Sequence, residues 1–166
     1  VKLAGGMGHS VALKGDGTLW AWGYNFNGSL GDGTTTSKTI PVQEFTNATE
    51  WVSVAAGSHS VALQSDGTLW AWGDNSYGQV GDGTTTDSLI PKQEWTAATD
   101  WAAVAAGGYH TVALKSDGSL WAWGLNNYGQ LGNNSTTDSS VPVREYTAAN
   151  DWVAVAAGLN HTLALK

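Results

Sequence analysis

The stretch Trp51–Gln93, WVSVAAGSHSVALQSDGTLWAWGDNSYGQVGDGTTTDSLIPKQ, decides the fold. Trp51-Val52-Ser53-Val54-Ala55-Ala56 alternates with small residues at the two-residue period of a strand. Ser60–Leu63 is apolar, and Ser65-Asp66-Gly67 supplies a tight hairpin turn before a third strand, Leu69–Trp72. Asp74–Ser88 is rich in Gly, Asp and Thr and reads as a long polar loop that cannot bury itself. Leu89–Gln93 forms a fourth strand, which Pro91 places at a sheet edge because proline cannot donate to a central ladder. Nowhere does a ten-residue run show the helical spacing of apolar residues.

The same pattern recurs along the chain. Trp-Ala-Trp-Gly begins at Trp20, Trp70 and Trp121, and proline recurs at Pro41, Pro91 and Pro142, both in steps of 50 and 51. Histidine falls at His9, His59, His110 and His161, and the second unit is one residue short between Gly57 and His59. The repeats are 1–50, 51–100, 101–151 and a partial 152–166, in which Val153–Lys166 matches Val1–Lys14 in register. Four antiparallel strands every fifty residues or so describe a β-propeller blade. The expected fold is therefore all-β, three full blades and a half, part of or assembling into a larger propeller or array. The first strand of each unit, dominated by Ala and Gly, belongs innermost. The Trp-Ala-Trp strand lies further out, with Trp70 and Trp72 on one face, against the next blade.

The 166 residues suit one domain. Fourteen acidic against seven basic residues give a net charge of −7, which repels a phosphate backbone and argues against nucleic acid. Without cysteine there is no disulfide framework, thiolate nucleophile or Cys-ligated zinc. The longest apolar stretches, such as Trp101–Ala106, fall far short of the roughly 20 residues of a spanning helix, so no membrane is expected as a partner. The initial Val1, with no signal-like region after it, suggests ends set by processing or by truncation.

The segment VAAGGYHTVALKSDGSLWAWGLNNYGQLGNNSTTDSSVPV, Val104–Val143, resembles the repeat of the regulator of chromosome condensation family, of a bacterial type. Its G-x-x-H, D-G-[TS]-[LV]-W-x-W-G and G-Q-L-G elements carry the likeness, which covers essentially the whole chain. Members typically form seven-bladed propellers, so the resemblance implies the same blade here. The namesake is a nucleotide-exchange factor for a small GTPase and binds chromatin, and bacterial relatives include an inhibitor of β-lactamases.

Little in the sequence carries chemistry. The four histidines could converge on a metal, but a residue repeated in every blade reads as structural, here an anchor for the turn between first and second strands. The adjacent pairs His9-Ser10, His59-Ser60, His110-Thr111 and His161-Thr162 point to opposite faces of a strand, which excludes a nucleophile beside its base. Gly31-Asp32-Gly33-Thr34 and Gly81-Asp82-Gly83-Thr84 read as turns, not as phosphate or calcium loops. Nine tryptophans hold repeat positions and are expected in the core. The slot of Phe45, Trp95 and Tyr146 is expected to pack as well. No catalytic residue, cofactor or metal is expected.

A specific surface should lie where the units differ and the backbone is exposed. Those positions are Tyr24, Phe26 and Asn27, then Asp74, Ser76 and Tyr77, then Leu125, Asn127 and Tyr128, all in the loop after the Trp-Ala-Trp strand. The expected function is a non-enzymatic scaffold for protein interaction, or for self-assembly through the duplicated terminal hairpin into a homo-oligomer or filament. The remainder of a longer chain could complete that hairpin instead. The alternatives are a lectin-like or inhibitor-like ligand module and, by resemblance alone, an exchange factor. The acidic surface rich in Thr, Asn and Gly suggests a secreted or cell-surface protein of bacteria, with a cytoplasmic place left open.

Overall fold

The computed structural model describes residues 1–166. Blade 1 holds β1 (Lys2–Gly5), β2 (His9–Leu13), β3 (Leu19–Gly23) and β4 (Lys38–Gln43). Blade 2 holds β5 (Trp51–Ala56), β6 (His59–Gln64), β7 (Leu69–Gly73) and β8 (Ser88–Gln93). Blade 3 holds β9 (Trp101–Ala106), β10 (His110–Lys115), β11 (Leu120–Gly124) and β12 (Ser139–Arg144). A final hairpin, β13 (Ala154–Ala157) with β14 (Thr162–Leu165), forms the inner half of a fourth blade. Each full sheet runs in sequence order and antiparallel, so the proline strand is the edge strand in all three.

The first strands of neighbouring blades pack on one another, which explains their small residues. At Gly57 a Cβ would lie 1.8 Å from the carbonyl oxygen of Gly107, so the inner loops of blades 2 and 3 touch backbone to backbone. Backbone bonds there join the blades: Met7 donates to Gly57 (2.8 Å), Ser58 to Gly108 (3.0 Å) and Gly108 to Leu159 (3.1 Å).

The core is a series of seams between blades. Val11, Leu13, Leu19, Ala21 and Leu30 of blade 1 enclose Trp51, Ala62 and Trp72 of blade 2. Val61, Leu63, Leu69, Ala71 and Val80 of blade 2 enclose Trp101, Ala113 and Trp123 of blade 3 in the same way. Trp72 and Trp123 therefore face the preceding blade, not the next one as the sequence suggested. Alternation fixes that the two indoles of a strand share a face, but the handedness of the blade stack decides which neighbour that face meets. Only Trp51, Trp72, Trp101 and Trp123 are buried, Trp72 and Trp123 completely. Trp22 has no blade before it and stays half-buried, while Trp20, Trp70 and Trp121 are half-buried in every blade.

The long loop also differs from the polar excursion expected. It closes on a fully buried asparagine in each blade, Asn25, Asn75 and Asn126. The Asn75 amide nitrogen donates to the carbonyls of Thr84 (3.1 Å) and Thr86 (3.0 Å), while its oxygen accepts from the Val80 N–H (2.9 Å). One side chain thus satisfies backbone groups that the loop cannot pair within itself. Asn75→Ala is expected to cost on the order of 2–3 kcal/mol, because it orphans a buried N–H and two carbonyls. Urea unfolding measures this, with the exposed Asn127→Ala as a neutral control.

Candidate interaction surfaces

The loops after β3, β7 and β11 gather on one rim. Tyr24 and Phe26 are exposed, with ring centroids 4.9 Å apart, and Tyr77 meets Tyr109 edge-on at 5.4 Å. Asn27 is half-buried and donates to the Asp87 carboxylate (2.7 Å). The Asp74 carboxylate accepts from the Ser76 N–H and hydroxyl, closing a local turn. Asn127 and Tyr128 are exposed, but Leu125 is buried, which corrects its expected place on the surface. Its N–H donates to the Tyr109 carbonyl (2.9 Å), as the N–H of the exposed Tyr24 does to that of Gly8 (2.8 Å), so this backbone bond does not by itself set its burial.

Tyr24, Asn27 and Asp74 line one cleft of about 290 Å³ with Met7, Ser58 and Tyr109, beside the one-residue-short loop of blade 2. Phe26, Ser76, Tyr77, Asn127 and Tyr128 do not line it.

A second exposed aromatic series was expected to pack. Phe45, Trp95 and Tyr146 are between 58 % and 69 % exposed. Phe45 and Trp95 rest one face on Gly33 and Gly83, respectively. The core side of that slot is instead taken by the preceding glutamate. Glu44 is buried and accepts from the N–H groups of Thr46 (2.6 Å) and Ala48 (3.0 Å) and from Nε1 of Trp51 (3.3 Å). Glu94 repeats these contacts with Thr96, Ala98 and Trp101.

The histidines stitch blades together and do not anchor the turn within one blade. His9 Nε2 lies 2.8 Å from the Ser60 hydroxyl of blade 2, His59 2.7 Å from Thr111, and His110 3.1 Å from Thr162. Each hydroxyl donates back across the seam, Ser60 to the Ser29 carbonyl, Thr111 to that of Gln79 and Thr162 to that of Gln130, all at 2.8 Å. Since the hydroxyl spends its hydrogen there, Nε2 carries the proton and Nδ1 is bare. Burial lowers the pKa of His59 to about 3, with the charges of His110 and His9 adding to it. It lowers His9 and His110 to about 4 each.

The carbonyls of Ser29 and Gln79 accept a second bond, from Nε1 of Trp72 (3.1 Å) and Trp123 (3.0 Å). These hydroxyl and carbonyl partners escaped the sequence reading. The hydroxyl residue after every histidine was the available signal, but the partner lies fifty residues away on the next blade.

No group of three or more His, Cys, Asp or Glu stands close enough to hold a metal. The Asp-Gly loops are turns in which Asp32 and Asp82 accept from Thr34 and Thr84. Burial would raise the Asp82 carboxyl, but bonds from Thr84 and Lys92 outweigh it and hold the carboxyl below its usual range. No helix is long and apolar enough to cross a membrane.

The regulator of chromosome condensation (RCC1) repeat matches residues 16–63, 66–114 and 117–165. The chain belongs to the RCC1 repeat family. Each matched stretch runs from the outer strands of one blade through the inner pair of the next. The chain is 34 % identical over 167 residues to the ultraviolet-B receptor UVR8 of Arabidopsis thaliana, covering 98 % of this chain and 38 % of that protein. It is 42 % identical over 133 residues to an X-linked retinitis pigmentosa GTPase regulator homolog of Caenorhabditis elegans, covering 80 % of this chain and 6 % of that one. Its fold follows Prp20p of Saccharomyces cerevisiae, whose structure was described with its binding to Gsp1p and histones. The TM-score is 0.86 at 25 % identity, over 98 % of this chain and 42 % of Prp20p. The chain thus spans well under half the length of these relatives, and it is an RCC1 propeller fragment. All three relatives are eukaryotic and lend no support to the bacterial type expected from the sequence.

Proposed function

We propose that this RCC1-repeat chain is a non-enzymatic scaffold that joins other propeller blades through its open ends and presents its rim loops to protein partners. One observation carries the joining role. Leu163 and Leu165 of β14 are 61 % exposed, whereas the equivalent Val112 and Leu114 of β10 are at most 3 % exposed. Apolar side chains of a propeller strand in that state gain about 1–2 kcal/mol each when a further blade covers them. Self-association of the 166-residue chain is the expected result, and light scattering from micromolar to millimolar concentration measures it. A mass fixed at the 17.3 kDa of one chain removes this reading.

The cleft lined by Tyr24, Asn27, Asp74 and Tyr109 supports the rim as the protein-binding surface, with tyrosines beside polar groups. The same cleft is where a ligand-module reading would place its ligand. A nucleotide-exchange role rests on family likeness alone, and a secreted or cell-surface place rests on the acidic surface rich in Thr, Asn and Gly.

A further inference from the structure

The outer half of blade 3 has an open cleft of about 470 Å³, lined by Leu120, Gln130, Leu131, Gly132, Trp152 and neighbours. Blades 1 and 2 show what fits there. At Gly31 a Cβ would lie 2.6 Å from Nε1 of Trp72, and at Gly81 it would lie 2.4 Å from Nε1 of Trp123. At Gly132 the nearest atom is Glu145 Cβ at 4.0 Å.

The polar groups agree. Gln130 is 5 % exposed and lines the cleft; its buried Nε2 has no hydrogen-bond partner, whereas Gln79 Nε2 bonds the Ser58 hydroxyl of its own blade (3.3 Å), a serine hydroxyl that blade 3 lacks at that place. Its carbonyl accepts from Thr162 alone, where Ser29 and Gln79 also accept an indole N–H. Gly33 and Gly83 donate across the seam to Leu89 of β8 and Ser140 of β12, both at 2.9 Å. Asn134, which holds their place in blade 3, donates to no backbone carbonyl. The cleft is therefore shaped for two strands, a Trp-Ala-Trp-Gly strand and the edge strand after it.

The chain itself carries such a pair with an unseated indole. Trp22 of β3 holds the register of Trp72 and Trp123 but meets no preceding blade. We infer that the cleft takes β3 and β4 of a second copy of this chain, with Trp22 seated over Gly132 and bonded to the Gln130 carbonyl. This rests on the self-association proposed above and names its site.

The junction is a composite blade. The inner hairpin β13–β14 of one copy takes the place of β1–β2 in the other, because the two are near duplicates. His161-Thr162-Leu163-Ala164-Leu165 substitutes for His9-Ser10-Val11-Ala12-Leu13 against β3. The β2–β3 ladder is exchanged strand for strand. Leu163 and Leu165 then occupy the buried places of Val11 and Leu13, and His161 the place of His9 beside Ser60 of the second copy. The released β1–β2 hairpin gives up its contacts with blade 2, which β13–β14 of the other copy replaces, and it has no blade against its other face to lose. Such a contact is heterologous, so it propagates head to tail.

Two variants test it. Trp22→Ala removes the inserted indole. Gly132→Asn blocks the cleft, and asparagine tolerates the left-handed φ of 64° there while meeting open space within its own chain. Each variant alone, incubated for days to allow strand exchange, is expected to keep the mass of one chain by light scattering. Their mixture is expected to form a two-chain species and stop, because one intact indole and one intact cleft remain. Association that persists in either single variant, or a mixture that stays monomeric, overturns the composite blade while leaving self-association standing. A wild-type chain that stays monomeric overturns both and gives the cleft to a further stretch of the same polypeptide. Circular dichroism confirms folding, and Gly132→Asn alone decides the matter if Trp22→Ala unfolds.

Discussion

Trp72→Ala is expected to lower stability by about 3–5 kcal/mol, while Trp22→Ala, the same residue in the same register one blade earlier, costs about 1 kcal/mol or less. Trp72 is wholly buried among Val11, Leu13, Leu19 and Leu30 of the preceding blade. It also donates to Ser29 and lies tilted against Trp51, with centroids 6.1 Å apart. Truncation removes an aromatic ring, leaves a cavity at the seam and strips one donor from a buried carbonyl. A domain of this size holds only about 5–15 kcal/mol in total, so the loss separates marginal folding from none. Trp72→Phe keeps a ring and loses the N–H bond, and is expected to fall between the two. Urea unfolding followed by far-ultraviolet circular dichroism reads all three variants, with Trp22→Ala compared under conditions where the chain is monomeric. Equal costs for Trp22 and Trp72 would show that the indole works within its own blade and that the seam is not the source of stability.

How far the sequence predicts this molecule depends on the range of the interaction. The strands followed from local alternation and turn chemistry: Leu69–Trp72 was expected and β7 spans Leu69–Gly73, while Pro91 lies on the edge strand as its missing N–H requires. Contacts between blades were not legible in the same way. The side on which Trp72 packs depends on the stacking of whole sheets, and the His59 to Thr111 bond joins residues 52 apart. Composition also misled at two places. Leu125 sits in a polar loop yet is buried. Trp95 is a large aromatic yet is exposed, because Glu94 has taken the inner position to satisfy a turn and an indole. The rim residues Tyr24, Asn27 and Asp74 were found by asking where units differ, and the structure brings these three to one cleft. The open cleft over Gly132 could not be found that way, since it is defined by what blades 1 and 2 have and blade 3 lacks.

Lowering the pH from 7 to 5 is expected to destabilise the protein by on the order of 5 kcal/mol, through the seam histidines. His9, His59 and His110 titrate near 6.5 in the unfolded chain but at about 4, 3 and 4 when folded, because burial penalises the imidazolium. Below pH 6.5 the unfolded chain therefore binds protons that the folded chain refuses. Stability is full above that value and falls as pH drops towards 4, by up to about 1.4 kcal/mol per pH unit for each histidine. A protonated His59 would also place a second N–H at Nδ1, where no acceptor stands. The carboxylates that hydrogen bonds hold low do not confuse this window. Asp66, lowered by bonds from the Thr68 hydroxyl and N–H, contributes stability that is present above its unfolded value and lost only as pH falls through its still lower folded one. Urea midpoints at pH 7, 6 and 5 measure the slope, and His59→Gln, which keeps a side-chain N–H donor without a titrating ring, is expected to reduce it by about a third. A midpoint that stays level from pH 7 to 5 would mean that the seams open to water and accept the proton, and the histidine-to-hydroxyl bonds would then not be what couples one blade to the next.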